Sequence, residues 1–157
     1  MTTTGGTHVF TYGTLMFADV VEALLGRRFE SRPARLPDFA RLCVRGRVYP
    51  GIVARAGATT DGVLYEGLDG AALARLDEFE GELYERRTVV VLASSSIGTA
   101  TDDQQRAEVY VVASGKEHLL AEEPWDAEQF RAQHHQRYVA HCRALHTARG
   151  DASGFEP

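Results

Sequence analysis

Segments that favour β-strands follow one another along this chain, and helical segments are inserted between them singly. The strands are predicted where β-branched, aromatic and alternating apolar residues concentrate, at His8–Leu15, Ala40–Val48, Gly62–Leu68, Arg87–Ala93 and Ala107–Ala113. Strict alternation of strand and helix would indicate a parallel sheet, whereas runs of neighbouring strands favour an antiparallel α+β fold. About five or six short strands of this kind can close into a small, mostly antiparallel β-barrel.

Three segments have the apolar spacing of helices, and the last of them is long. They run from Phe17 to Arg28, from the N-cap Asp69 to Glu80, and from Trp125 to about Ala148. We expect a single domain over residues 8–148, with flexible tails at residues 1–7 and 149–157.

Three other segments are expected to be irregular. Pro33 and Pro37 should break the chain at residues 32–37, because proline cannot donate a hydrogen bond to a sheet. Tyr49–Gly51 is predicted to form a turn or bulge. The polar run from Ser94 to Arg106 is predicted to be a loop.

Size and charge exclude some classes of function. A chain of 157 residues, 44% of them hydrophobic, is long enough to bury a substantial core. Its formal net charge of −5 argues against nucleic-acid binding, which favours a basic surface. No run of about 18 apolar residues is present, which argues against a membrane span. We therefore expect a cytoplasmic protein, and a monomer is feasible.

The cysteines and histidines do not have the spacing of a metal site. Cys43 and Cys142 are far apart in sequence and are interpreted as free buried thiols. The last helix carries four histidines, of which His134 and His141 share a face two turns apart. Because no acid accompanies them, these histidines are interpreted as solvated surface residues, and no metal is expected.

Glu80 is the strongest candidate for chemistry. It ends the second helix on the inward face, between Leu73 and Leu76. Burial beside the C-terminal carbonyls of a helix disfavours the ionised carboxylate and should raise its pKa. Such a carboxyl is suited to general acid–base catalysis. The alternative is a structural ion pair with Arg86 or Arg87 that closes the helix.

The turn Tyr12–Leu15 is a second candidate. The first predicted strand ends at Gly13–Thr14, just before a helix, so its backbone N–H groups have no intrahelical partner. A concave row of such groups can hold a carboxylate or a developing oxyanion. An ordinary strand–helix turn is the alternative.

Together, these two motifs resemble the gamma-glutamylcyclotransferase superfamily. The resemblance rests on Val9–Met16, on Leu76–Gly81, and on Tyr84 and Arg86 just after them. It is closest to the branch of the gamma-glutamylamine cyclotransferases and the plant AIG-type proteins. Three further segments resemble this family in the same order along the chain: Tyr49–Ile52, Gly62–Tyr65 and Trp125–Phe130.

This resemblance implies a small β-barrel with flanking helices and no metal or organic cofactor. It implies an intramolecular acyl transfer that converts a gamma-glutamyl amine or amino acid into 5-oxoproline and a free amine. Glu80 would be the general acid/base. The glutamyl group would be held by the backbone of Tyr12, Gly13, Thr14 and Leu15.

Two residues after Glu80 have open roles. Tyr84 could cover the substrate pocket or bond Glu80, or it could simply fill the core. Arg86 could pair with Glu80 or with the substrate α-carboxylate, or it could be a surface residue. Asp77 and Glu78 are expected to face solvent.

Two other functions fit the same residues. The chain could be a non-catalytic AIG-type relative that binds a small metabolite or a protein. It could also be a hydrolase or acyltransferase that acts on a gamma-glutamyl-tagged intermediate. The leaving group stays open at this point.

Overall fold

A computed structural model describes residues 6–94 and 103–148. Within them, the strands are β1 (Thr7–Thr11), β2 (Glu30–Val44), β3 (Pro50–Leu68), β4 (Tyr84–Ala93), β5 (Asp103–Val112) and β6 (Leu120–Pro124). The α-helices are α1 (Ala18–Leu25), α2 (Gly70–Glu80), α3 (Ala127–Gln133) and α4 (His135–Ala148).

Five strands close into a barrel in the order β3-β1-β5-β4-β2, because β2 pairs back with β3. β6 extends the sheet along the free edge of β2. The pairing of β1 with β5 is parallel, and the other pairings are antiparallel. The predicted α+β fold, a small and mostly antiparallel barrel with flanking helices, is confirmed.

β2 is longer than predicted, because Pro33 and Pro37 do not interrupt it. They pair with Val63 and Thr59 of β3. The backbone N–H groups of a strand point alternately to its two edges. Pro33 and Pro37 are four residues apart, so both lack an N–H donor on the same edge of β2. On that edge β2 meets β4 only at Ala34 and Arg35, so few donors are needed there.

α2 has the ends that its sequence predicts. The Asp69 side chain accepts a hydrogen bond from the Ala72 amide at 2.8 Å, which is N-cap geometry. The helix ends at Gly81, whose φ of 71° is favourable for glycine. Glu80 is therefore the last helical residue before a sharp change of direction.

The long C-terminal helix is present, but it is divided. α3 ends at His134, whose φ of −132° is not helical, and α4 begins at His135. Asp126 caps α3 by accepting from the amides of Glu128 and Gln129. α4 packs against α1.

Other predicted boundaries also move. The first strand includes Thr7, which was expected to belong to a flexible tail. Residues 1–5, residues 149–157 and most of the predicted loop (95–102) lie outside the described residues. Asp103–Arg106 belongs to β5 rather than to a loop, because it pairs with Val90–Ala93 of β4.

The barrel wall separates two apolar groups. Val9 of β1 packs toward the helices with Leu24, Leu76 and Cys142. The next residue, Phe10, points to the opposite face, into the barrel. The barrel interior is filled by Phe10, Leu36, Ile52, Leu64, Val91 and Val109.

The two cysteines are free. Cys142 is fully buried, as predicted, but Cys43 is only half-buried, because β2 bears it close to the edge where β6 pairs. Within the described part of the chain, no helix is both long and apolar enough to cross a membrane.

Candidate active site

A cleft of about 610 Å³, counted out to its open mouth, lies where β1, α2, β4 and α4 meet. It joins the two motifs that the sequence singled out. The lining is mostly aromatic: Phe10, Thr11, Tyr12, Gly13, Thr14, Leu15, Tyr49, Pro50, Phe79, Glu80, Leu83, Tyr84, Tyr110 and Tyr138.

Glu80 is half-buried in this lining, at the end of α2. Among the described residues its carboxyl has no hydrogen-bond or ion-pair partner. The arginines that could have closed the helix pair elsewhere: Arg86 with Asp77, at 2.9 Å, and Arg87 with Glu85. Glu80 is thus directed toward the cleft instead of being used in a structural ion pair.

Burial raises the pKa of Glu80 to about 8, and the negative charge of Asp77 adds to the rise. Burial also raises the pKa values of four tyrosines of the cleft, and the charge of Glu80 adds to each rise: Tyr12, Tyr84, Tyr110 and Tyr138. A carboxyl with this pKa exchanges its proton close to neutral pH, as general acid–base catalysis requires.

Asp77 and Glu78 differ in their side-chain contacts, which the sequence did not indicate. The Glu78 side chain is 70% exposed and pairs with Arg75 one turn earlier. Asp77 is also exposed, but its carboxylate accepts hydrogen bonds from the Tyr110 hydroxyl at 2.6 Å and from Arg86 at 2.9 Å. Because strand β5 brings Tyr110 against α2, Asp77 belongs to the surroundings of Glu80, and only Glu78 is a neutral control.

The Tyr12–Leu15 turn lines the same cleft, and all four of its residues are buried. Within the described residues, the amides of Gly13, Thr14 and Leu15 donate no hydrogen bond, whereas the Met16 amide bonds the Gly13 carbonyl. A Cβ atom on Gly13 would lie only 2.7 Å from Pro50 Cδ. Glycine is required at this position by the close approach of the Tyr49–Pro50 segment.

Tyr84 and Arg86 lie in different environments. Tyr84 lines the cleft and donates its hydroxyl to the Pro50 carbonyl at 2.6 Å, so it does not bond Glu80. Arg86 is not part of the lining. It pairs with Asp77 and with Glu108 at 3.1 Å, and it reaches Glu80 only through Asp77.

Sequence reasoning missed part of the aromatic lining. Phe79, Tyr110 and Tyr138 were seen as ordinary apolar positions of a helix or strand. Tyr49 was noted only within the segment Tyr49–Ile52. No local signal distinguishes a tyrosine facing a cleft from one that fills a core, because the cleft forms only when distant elements meet.

The four histidines of the C-terminal segment are half-buried, not solvated as expected. His135 contacts Asp19 at 2.8 Å and stacks on Phe17, because α4 packs against α1. Across residues 6–94 and 103–148, no three His, Cys, Asp or Glu side chains group as a metal site.

Comparison with known proteins gives consistent results. The gamma-glutamyl cyclotransferase, AIG2-like family matches residues 9–127. AIG2-like protein D of Arabidopsis thaliana is 37% identical over 131 residues, which are 83% of this chain and 83% of that protein. A solution structure from Arabidopsis thaliana is 26% identical with a TM-score of 0.68, over 96% of this chain and 87% of the other. A gamma-glutamyl cyclotransferase specific to glutathione, from yeast, has the same fold, with a TM-score of 0.58 at 13% identity over 94% and 97% of the two chains.

The closed barrel and its flanking helices define a protein with the gamma-glutamyl cyclotransferase-like fold. The family match extends over most of the chain, and so the chain belongs to the gamma-glutamyl cyclotransferase, AIG2-like family. The resemblance drawn from the two motifs is confirmed.

Proposed function

We propose that this protein is a gamma-glutamylcyclotransferase that acts on a gamma-glutamyl amine or amino acid, with Glu80 as the general acid/base. The observation that supports this most strongly is the position of the Glu80 carboxyl. It lines the same tyrosine-rich cleft as the Tyr12–Leu15 turn, without a hydrogen-bond or ion-pair partner among the described residues.

In the proposed reaction, the substrate supplies its own nucleophile. Its α-ammonium loses a proton to the Glu80 carboxylate, and the amine nitrogen attacks the γ-carbonyl carbon of the same glutamyl group. A ring C–N bond forms, and the C–N bond to the leaving amine breaks as Glu80 returns the proton to that nitrogen. The ring nitrogen then loses its second proton through the Glu80 carboxylate to the departed amine, which leaves as an ammonium. The products are 5-oxoproline and a free amine, so no external nucleophile is required.

The Tyr12–Leu15 turn can stabilise the charge that develops. Attack turns the γ-carbonyl oxygen into an oxyanion, and the substrate also carries an α-carboxylate. The amides of Gly13, Thr14 and Leu15 are suitable donors, since they bond no other described residue. Gly13 lets these amides approach the ligand without an intervening side chain. Tyr84 is proposed to hold the cleft wall through Pro50 and to contact the substrate with its ring.

The test is release of 5-oxoproline from a panel of gamma-glutamyl amino acids, gamma-glutamyl-ε-lysine and glutathione. Native protein and Glu78→Gln should release it at equal rates, and Glu80→Gln should lose at least about a hundredfold, the usual contribution of a general acid/base. Release of free glutamate would instead indicate a hydrolase. Binding without any turnover would favour the non-catalytic alternative.

A further inference from the structure

One wall of the cleft comes from a part of the chain that the family match does not include. The match ends at residue 127, whereas Tyr138 lies on α4 and lines the cleft. The barrel, the Tyr12–Leu15 turn and Glu80 all lie within the match. The matched part of the site is therefore completed by a wall from the C-terminal helices, beyond the end of the family match.

This wall consists of aromatic rings that pack against one another. The Tyr138 ring meets the Phe79 ring edge to face, with centroids 6.5 Å apart and planes at 83°. On its other side it packs edge to face on Phe130, at 5.5 Å. Phe130 is fully buried, so it fixes the position of Tyr138. Phe79, Glu80 and Tyr138 all line the cleft, so a ligand that reaches the Glu80 carboxyl also meets this aromatic pair.

The tyrosine hydroxyls of the cleft are largely occupied by the protein itself. Tyr12 donates to the Tyr110 carbonyl, Tyr84 to the Pro50 carbonyl and Tyr110 to Asp77. Tyr138 is hydrogen-bonded with the Thr14 hydroxyl. A ligand in the cleft therefore meets mainly tyrosine rings, and the polar groups that no described residue binds are the Glu80 carboxyl, the turn amides and the Tyr49 hydroxyl.

The charge of the cleft lining also disfavours a charged leaving group. No arginine, lysine or histidine is present among the described residues that line the cleft. A leaving group with its own carboxylate would lie among aromatic rings and near Glu80, with no cation on the cleft wall to pair with it. Burial of such an unpaired charge is costly, whereas an uncharged ring would pack favourably on the Phe79–Tyr138 pair.

We propose that Phe79 and Tyr138 form a leaving-group subsite that selects gamma-glutamyl derivatives of uncharged arylalkyl amines over gamma-glutamyl amino acids. This inference rests on the proposed function and names its substrate class. The turn Tyr12–Leu15 holds the glutamyl part in every case, and the aromatic pair discriminates only on the far side of the scissile bond.

Three substrates separate the effect of a carboxylate on the leaving group from the effect of its aromatic ring. Gamma-glutamyl-phenethylamide and gamma-glutamyl-phenylalanine differ only in a carboxylate, and gamma-glutamyl-methylamide lacks the ring. By 5-oxoproline release, we expect kcat/KM for the phenethylamide to exceed that of each other compound by about tenfold or more. Equal values for the phenethylamide and the phenylalanine compound would overturn the subsite and leave the proposed function intact.

Variants of Tyr138 and Phe79 test whether these two side chains cause the substrate preference. Tyr138→Ala should reduce the advantage of the phenethylamide over the methylamide, measured as the ratio of their kcat/KM values, to within about threefold. Tyr138→Phe, which retains the ring, should preserve the preference, and the exposed Gln136→Ala on the same helix is the matched control. Phe79→Leu serves as a second variant if Tyr138→Ala fails to fold by circular dichroism. An unchanged preference in a folded Tyr138→Ala or Phe79→Leu protein would refute the proposal.

Failure of the reaction itself would be visible separately. If native protein releases no 5-oxoproline from any of the three compounds, the proposed function is wrong for them. Calorimetric titration with the same compounds then tests the subsite directly. Tighter binding of the phenethylamide than of the phenylalanine compound, lost in Tyr138→Ala, would still support it. Equal binding would refute it.

Discussion

The Tyr110 hydroxyl donates a hydrogen bond to the Asp77 carboxylate at 2.6 Å and thereby joins the last turn of α2 to strand β5. Arg86 of β4 binds the same carboxylate oxygen at 2.9 Å. Asp77 and Glu80 are three residues apart, so they share one side of the helix. The contacts that hold Asp77 therefore also fix the position of Glu80, and the Asp77 charge adds to the rise in the pKa of Glu80 that burial causes.

The first prediction concerns the pH dependence of turnover. Because the pKa of Glu80 is raised to about 8, only roughly a tenth of it is ionised at pH 7. The base form increases as pH rises, so the rate of 5-oxoproline release should climb through about pH 8 and fall about tenfold per unit well below it. The pH–rate profile of native protein measures this, and a flat profile from about pH 5 to 8 would contradict a raised pKa.

Asp77→Asn should shift that profile to lower pH. The amide keeps an acceptor for Tyr110 but removes the negative charge that raises the pKa of Glu80. More of Glu80 would then be ionised at pH 7. Glu78→Gln removes the same charge from an exposed site, and its profile should coincide with that of native protein. Identical profiles for both variants would show that Asp77 does not influence the carboxyl.

Glu80→Gln should stabilise the fold at alkaline pH. Below its ordinary value of 4.5, Glu80 is protonated in both folded and unfolded chains, so no penalty exists. As pH rises toward about 8, the unfolded chain ionises first and the folded state loses stability, because its carboxyl pKa is raised. We expect the variant to gain about 1–3 kcal/mol at pH 8.5 and nothing near pH 4. Urea unfolding at the two pH values checks this, and equal gains at both would exclude it.

Gly13→Ala should damage both the fold and the cleft. The added Cβ would approach Pro50 Cδ to 2.7 Å and force the Tyr49–Pro50 segment outward. Overpacking of this kind costs about 1–3 kcal/mol, and the displaced wall should raise KM for gamma-glutamyl substrates. Gly70→Ala is the matched control, since its Cβ would have nothing within 4 Å and would lie at the first residue of α2. That variant should be neutral or slightly stabilised in thermal unfolding.

The candidate site could be predicted only as far as its two local motifs. Glu80 on an inward helix face and a turn with unpaired amides are properties of short segments. Their partners are not: Tyr110 is 33 residues from Asp77 in sequence. The sequence left Arg86 open to a pair with Glu80, a contact with the substrate or a surface role, and barrel pairing sets it beside Glu108, which gives it a second acidic partner.

The sequence by itself determined the antiparallel barrel class, the capped helix α2, and the inward position of its last acid, because periodicity and capping act over a few neighbouring residues. Tertiary structure alone decided that β2 runs through Pro33 and Pro37, and that Tyr138 meets Phe79 at the cleft. These outcomes depend on which strand edges stay unpaired and on how α4 packs after the barrel closes. Such contacts join residues distant along the chain, where local pattern carries no information about the partner.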